Sequence, residues 1–135
     1  MALNFSHLDH VVLRVTDIDR SLDFYCNRLG MKLVKQAAAG LYHLQAGNSM
    51  IDLVPVGSRM DDGNTNVPAM ESRNVDHFCL LLDPFDGAAV TALLDQHGID
   101  HSDIKTRFGA GGDGPAVYLT DPDGNGIELK GPAVG

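Results

Sequence analysis

Two stretches of eight residues decide the fold: LDHVVLRV at residues 8–15 and VDHFCLLL at residues 75–82. Both are short and apolar, and the first is rich in β-branched residues, so each is predicted to be a strand. They match position by position, and the Asp-His pair at the start recurs from His10 to His77, a spacing of 67 residues. A period of this length is too long for a solenoid repeat and fits a duplicated supersecondary module.

The same order of elements follows each of these two strands. Apolar residues at helical spacing predict one helix over residues 18–29, ended by Gly30, and another over residues 86–97. Short apolar runs between turn residues predict three further strands in each half. They lie at residues 31–35, 41–45 and 49–55 in the first half, and at 99–104, 116–120 and 126–130 in the second.

The chain is therefore predicted to be an α+β protein made of two tandem βαβββ modules, which together form one domain over residues 1–135. The first module covers about residues 5–55 and the second about residues 75–132. The polar segment 56–74, with its Gly, Asn, Asp and Pro residues, is predicted to be a linker. A single module is too small to bury both faces of its sheet. We therefore expect the two to pair into a cup-shaped mixed sheet with a pocket on its concave side.

Composition narrows the classes of function. Ten Lys and Arg against 18 Asp and Glu give a formal net charge of −8, which opposes binding to nucleic acid or to an anionic membrane surface. No apolar run approaches the roughly 20 residues that span a bilayer, and the N-terminal residues lack the pattern of a signal peptide. Two cysteines are too few for a disulfide framework. These features predict a cytoplasmic protein that acts on a small molecule.

One His and one acidic residue occupy equivalent places in each module. His10 and His77 open the first strands, while Asp52 and Glu128 lie between apolar residues of the last strands. A carboxylate is costly to bury unless it is paired or bound to a metal. Two imidazoles and two carboxylates suit Zn, Fe, Mn, Co or Ni. A lone strand histidine is more often a structural residue, but the duplication favours a divalent metal site. The Asp52 side chain is one methylene shorter than that of Glu. Asp52 could therefore orient another metal ligand instead of binding the metal itself.

Two loop-like motifs and four further histidines are interpreted as structural features without a role in binding or catalysis. The glycines at 109, 111 and 114 match a dinucleotide fingerprint formally, but a strand follows them instead of a helix, so a loop or a flexible flap is predicted. Residues 121–126 begin like a calcium loop, but Pro132 stands where the ligating Glu belongs, so a tight turn is predicted. Four histidines are placed in loop-like or exposed positions without a role: His7, His43, His97 and His101.

Four stretches resemble the vicinal oxygen chelate superfamily, which includes glyoxalase I, extradiol dioxygenases, fosfomycin-resistance transferases and bleomycin-resistance binding proteins. They are HVVLRV at 10–15, RSLDFY at 20–25, LGMKL at 29–33 and DPDGNGIE at 121–128, so the resemblance extends over nearly the whole chain. It implies paired βαβββ modules, usually built across a homodimer. It also implies one divalent metal held at the positions of His10, His77 and Glu128, with Asp52 at the fourth ligand position of glyoxalase I.

The resemblance implies one activity more strongly than the others. Residues 10–33 are most similar to glyoxalase I, which implies a lactoylglutathione lyase-like reaction on a thiol conjugate with Glu128 as the proton-transferring base. It also implies that Arg14 and Arg73 bind a substrate carboxylate. Tyr118 instead matches a pocket tyrosine of the dioxygenases and fosfomycin enzymes. Two alternatives therefore stay open: an extradiol-type ring-cleaving dioxygenase with Fe(II), and a metal-free protein that binds a drug or metabolite.

Overall fold

The computed structural model describes residues 3–61, 63–66 and 73–134. The chain divides into two compact units, Met1–Val67 and Pro68–Gly135, and the division falls inside the predicted linker. No helix in the described ranges is long and apolar enough to cross a membrane.

Unit one is a four-stranded sheet with a helical crossover. Its first strand, β1, pairs in parallel with its last strand, β4, and the sheet order is β1-β4-β3-β2. A parallel pair needs a long connection, which here consists of the helical segment and the two strands between β1 and β4. The elements are β1 (His10–Val15), α1 (Ile18–Leu22), a π-helical segment (Asp23–Arg28), β2 (Lys32–Gln36), β3 (Tyr42–Ala46), β4 (Ser49–Pro55) and a 3-10 turn (Arg59–Asp61).

Unit two repeats this arrangement. Its first strand, β5, pairs in parallel with its last strand, β8, and the order is β5-β8-β7-β6. The elements are β5 (His77–Leu81), α2 (Gly87–Gln96), β6 (Lys105–Gly109), β7 (Gly112–Thr120) and β8 (Gly126–Lys130). The predicted α+β class with tandem βαβββ modules is thus confirmed.

Both crossover helices begin at an aspartate cap. The Asp17 carboxylate accepts a hydrogen bond from the Arg20 amide at 3.1 Å, and that of Asp86 accepts one from the Ala89 amide at 3.1 Å. Each cap satisfies an amide at a helix start that has no partner within the helix. Helix α2 is followed by Gly98 at φ +66°, a left-handed conformation that glycine adopts without strain.

Each sheet turns one face to a hydrophobic core. In β4 the buried Ile51 and Leu53 alternate with Asp52, and in β8 the buried Ile127 and Leu129 alternate with Glu128. Because successive strand residues point to opposite faces, both acidic side chains lie on the face away from these apolar residues. The fold therefore fixes the two carboxylates at equivalent places in the two units.

Three predicted elements are corrected by the structure. The strand predicted at 99–104 lies instead at Lys105–Gly109, and His101 forms only an isolated bridge with Leu119. Residues 109–114 are not a loop or flap, because Gly109 and Gly112 pair within the β6–β7 hairpin. The helix predicted over 18–29 is α-helical only as far as Leu22, after which the Leu29 amide bonds the Phe24 carbonyl five residues back.

We expect Gly126→Ala to destabilise unit two, because a Cβ there would lie 2.7 Å from the Asp76 carbonyl oxygen and 2.9 Å from the His77 Cβ. Relief requires β5 and β8 to separate where His77 lies, at an expected cost of about 1–3 kcal/mol in the free energy of unfolding. Urea denaturation measures this cost. Gly111→Ala is the control, since its Cβ would meet nothing within 4 Å. Equal stability of the two variants would contradict the close packing of β5 on β8.

We also expect His101 to make stability depend on pH. Its Nδ1 donates to the Ser102 carbonyl oxygen at 2.8 Å and its Nε2 to Asp95 Oδ1 at 2.8 Å, so both nitrogens donate and the cation is favoured. The bond to Ser102, and then that to Asp95, raises the pKa of His101 above its usual value of 6.5. A raised folded-state pKa gives stability that is complete below the unfolded pKa and is lost as pH rises through the folded one.

Unfolding free energies of the wild type and His101→Gln, measured from about pH 5.5 to about pH 8.5, check this expectation. The wild type should lose its advantage as the pH rises. The control is His7→Gln, since His7 is exposed and bonds its neighbour Ser6. Parallel curves for the wild type and His101→Gln would show that the His101 contacts do not favour the cation.

Candidate metal centre

In unit one, strand pairing places the predicted ligands on the face away from the core. Val12 of β1 lies opposite Asp52 of β4, and His43 of β3 lies opposite Asp52 on its other side. Alternation along β1 puts His10 and Arg14 on the same face as Val12. We call this surface, formed by His10, Val12, Arg14, His43 and Asp52, the site face of unit one.

Unit two has an equivalent surface. Cys79 of β5 and Tyr118 of β7 lie on either side of Glu128 of β8, and alternation along β5 adds His77. We call the surface formed by His77, Cys79, Tyr118 and Glu128 the site face of unit two. Both faces thus place an acidic side chain at the centre, with a residue of the first strand on one side and of the third strand on the other.

Both histidines are anchored through one ring nitrogen. His10 Nδ1 lies 2.8 Å from Asp9 Oδ2, and His77 Nδ1 lies 2.7 Å from Asp76 Oδ2. The bond to Asp9 is the main cause of the raised pKa of His10, and Asp52 adds a smaller electrostatic contribution. Because a carboxylate only accepts hydrogen bonds, each Nδ1 carries the proton and the Nε2 of the neutral ring keeps its lone pair. Metal-ligating histidines typically have this type of second bond.

Glu128 is surrounded by polar side chains of its own unit. Its side chain is 7% exposed, and Oε1 lies 3.4 Å from His77 Nε2. The Cys79 thiol donates to Oε2 at 3.3 Å, and a hydrogen bond to Glu128 is the main cause of the raised pKa of Tyr118. Desolvation, and then the bond to Glu128, raises the pKa of Cys79 to about 12, so the thiol keeps its proton and acts as a donor.

Asp52 has a different partner, which the sequence did not reveal. It is buried, and Oδ1 lies 3.0 Å from His43 Nδ1. The placement of His43 in a loop-like or exposed position was wrong, because it is a half-buried residue of β3. The available signal was its position in the predicted strand at 41–45, from which a hairpin register would have placed it opposite Asp52.

The two predicted substrate-binding arginines are each bonded within their own unit. Arg14 donates from Nε and Nη2 to the Asp61 carboxylate, each at 2.8 Å, and from Nη2 to the Asn64 carbonyl oxygen at 3.0 Å. The bond from Arg14 lowers the pKa of Asp61. Arg73 donates to Asn125 Oδ1 at 2.9 Å and to the Asp123 carbonyl oxygen. Each arginine thus fixes a loop, and substrate binding by either stays a prediction.

The donor chemistry of these residues fits a divalent metal. In unit two His77 Nε2 faces a buried carboxylate oxygen of Glu128 at 3.4 Å, an arrangement that suits either a proton on Nε2 or a metal ion between the two atoms. Unit one has an anchored His10 and a buried Asp52 on its own site face. Across residues 3–61, 63–66 and 73–134, no group of three or more His, Cys, Asp or Glu side chains converges on one point.

Known proteins resemble this chain over most of its length. The catechol-2,3-dioxygenase of Bacillus subtilis (strain 168) is 29% identical over 130 residues, which are 92% of this chain but only 41% of that protein. A glyoxalase domain-containing protein of Mycosarcoma maydis, RDO1, is 34% identical over 131 residues, covering 95% of this chain and 69% of that protein.

Solved structures share the fold as well. An integron cassette protein from the mobile metagenome of V. cholerae is 30% identical and superposes with a TM-score of 0.81, covering 98% of this chain and all of that one. The sequence profile of the glyoxalase/bleomycin resistance protein/dioxygenase superfamily matches residues 7–129. The match includes both His10 and Glu128, and the chain therefore belongs to this superfamily.

Proposed function

We propose that this chain is a divalent-metal-dependent enzyme of the glyoxalase type, with His10, His77, Glu128 and Asp52 as the metal ligands. The observation that carries the proposal is the position of His77 Nε2, which faces the buried Glu128 carboxylate at 3.4 Å. The proposed metal, which is Zn, Ni, Co, Mn or Fe, would bind two neighbouring oxygens of a small substrate and stabilise negative charge on them. A homodimer belongs to the same proposal.

Glu128 is the proposed base. In a lyase reaction of this type, its carboxylate would take a proton from one carbon of a hemithioacetal and return it to the adjacent carbon. A base positioned in this way contributes about 10²–10⁴-fold to the rate. The Cys79 thiol donates to the carboxylate at 3.3 Å, and a bond to Glu128 raises the pKa of Tyr118. Because a phenol has a single proton, Tyr118 would release Glu128 when it donates to a substrate oxygen.

Arg14 and Arg73 stay in the proposal as ligands of a substrate carboxylate. Their guanidinium groups could bind it through paired hydrogen bonds. In the structure these donors are used by Asp61 and Asn125. A substrate carboxylate would therefore have to replace or share these partners.

One observation favours a second function, ring cleavage by an Fe(II) dioxygenase. The bond from His43 to Asp52 Oδ1 engages one of the two carboxylate oxygens that a fourth ligand would offer. Without Asp52 the ligands are two histidines and one carboxylate, the set typical of non-haem Fe(II) oxygenases. Tyr118 packs edge-on against the His77 ring at 5.5 Å, next to Glu128.

We expect purified protein, never exposed to chelators, to contain metal that His77→Ala and Glu128→Gln lose. Each variant removes one proposed ligand, and affinity should fall by more than the 10–100-fold typical of outer-shell changes. Elemental analysis and competition with a chromophoric chelator measure this loss. His7→Ala is the control, because His7 is exposed and its bond is to the neighbouring Ser6. Metal content that is unchanged in His77→Ala, or absent from the wild type, would contradict the proposal and favour a metal-free binding protein.

Asp52→Ala separates the two candidate reactions. For a glyoxalase-type enzyme it should weaken metal binding about as much as Glu128→Ala, because both carboxylates are ligands. For a dioxygenase it should leave one metal bound per chain. The assays are turnover of the methylglyoxal–glutathione adduct with Ni, Co or Zn, and oxygen uptake on catechol with Fe(II). Loss of metal together with oxygen uptake on catechol would contradict both assignments.

A further inference from the structure

Lys130 is a buried cation of β8. It is 4% exposed and lies two residues after Glu128 in β8, so the two side chains share a face. Its ammonium donates to the Gly131 carbonyl oxygen at 3.2 Å, and no ion pair with a carboxylate is found among the described residues. Buried charges in proteins are normally paired with an opposite charge. Lys130 can therefore pair with an anion that a ligand supplies.

Small residues leave room for the Lys130 side chain to cross the sheet towards β6. A Cβ on Gly109 would lie 3.1 Å from Lys130 Cε, and one on Gly114 would lie 3.1 Å from Lys130 Nζ. Ala116 of β7, whose side chain is a single methyl group, lies directly opposite Lys130. The ammonium group thus reaches the β6–β7 hairpin instead of extending along β8.

Two further cations share this face. Lys105 pairs with Ala116 and Arg107 pairs with Gly114, so both point to the side on which Lys130 and Tyr118 lie. The Arg107 guanidinium lies 5.9 Å from the centroid of the Tyr118 ring. Arg14 and Arg28, in contrast, are paired with carboxylates. Three cations around one carboxylate, in a chain of net charge −8, form a local positive field.

We propose that Lys130, Lys105 and Arg107 form a subsite for an anionic group of the substrate, a carboxylate or a phosphate. Lys130 and Glu128 lie two residues apart on the same face of β8, so one small organic acid can reach both side chains. The charged end of the substrate lies over β6 and β7, and its reacting oxygens lie near Glu128. That this anion belongs to the substrate rests on the proposed function, whereas the subsite itself rests only on unit two.

The test is calorimetric titration of the full-length protein at low ionic strength with two probes, inorganic phosphate and acetate. Arg107→Gln and Lys130→Met remove one positive charge each, and Arg28→Gln is the matched control, because Arg28 is paired with Asp23 at 3.0 Å. We expect the wild type to bind at least one probe, about ten-fold more tightly than either subsite variant. The probe that binds more tightly identifies the class of anion. Circular dichroism verifies folding, and Arg107→Gln and Lys105→Gln carry the test where Lys130→Met does not fold.

Unchanged affinity in the subsite variants, equal weakening by Arg28→Gln, or no binding of either probe would overturn the subsite. Metal content measured on the same samples separates this inference from the proposed function. Charge-dependent anion binding in a protein that takes up no metal would keep the subsite and overturn the metal enzyme. Metal retained by all variants, together with anion binding that does not depend on these charges, would keep the metal enzyme and overturn the subsite.

Discussion

An imidazole nitrogen facing a buried carboxylate is the interaction on which the account of this protein depends. Asp76 accepts a hydrogen bond from His77 Nδ1, so Nε2 is the nitrogen that faces Glu128, at 3.4 Å. A proton on Nε2 makes this contact an ion pair, whereas a neutral ring leaves two acceptors that repel each other unless a metal ion lies between them. The Cys79 thiol donates to the other carboxylate oxygen at 3.3 Å, which leaves Oε1 directed at His77.

Duplication explains how the fold repeats this arrangement and where the two copies differ. In both units a parallel pair of strands places a His near the acidic residue of the last strand. The neighbours of that acid differ: Val12 and His43 flank Asp52, whereas Cys79 and Tyr118 flank Glu128. Glu128 thus has donors on both sides, and the neighbours of Asp52 include one apolar side chain. The two carboxylates therefore have different surroundings.

The repeat, the fold class and most strands were predictable, because apolar alternation and glycine turns are local signals. Strand β6 was not, because KTRFG is an exposed edge strand whose charged residues carry no apolar pattern. The bond between His43 and Asp52, and the ion pair of Arg14 with Asp61, join residues nine and 47 positions apart. The Lys130 side chain lies beside glycines of two other strands, Gly109 of β6 and Gly114 of β7. Such partners are set by tertiary packing and strand register, which local sequence does not specify.

The most direct test of the central claim is X-ray absorption spectroscopy of the protein loaded with Zn or Co. The account predicts a shell of nitrogen and oxygen ligands at about 2.0–2.2 Å, with the outer-shell scattering of two imidazole rings. The signal of one ring should disappear in His77→Ala, and the oxygen contribution should fall in Glu128→Gln. A sulfur shell at about 2.3 Å, or a spectrum without imidazole scattering, would contradict it.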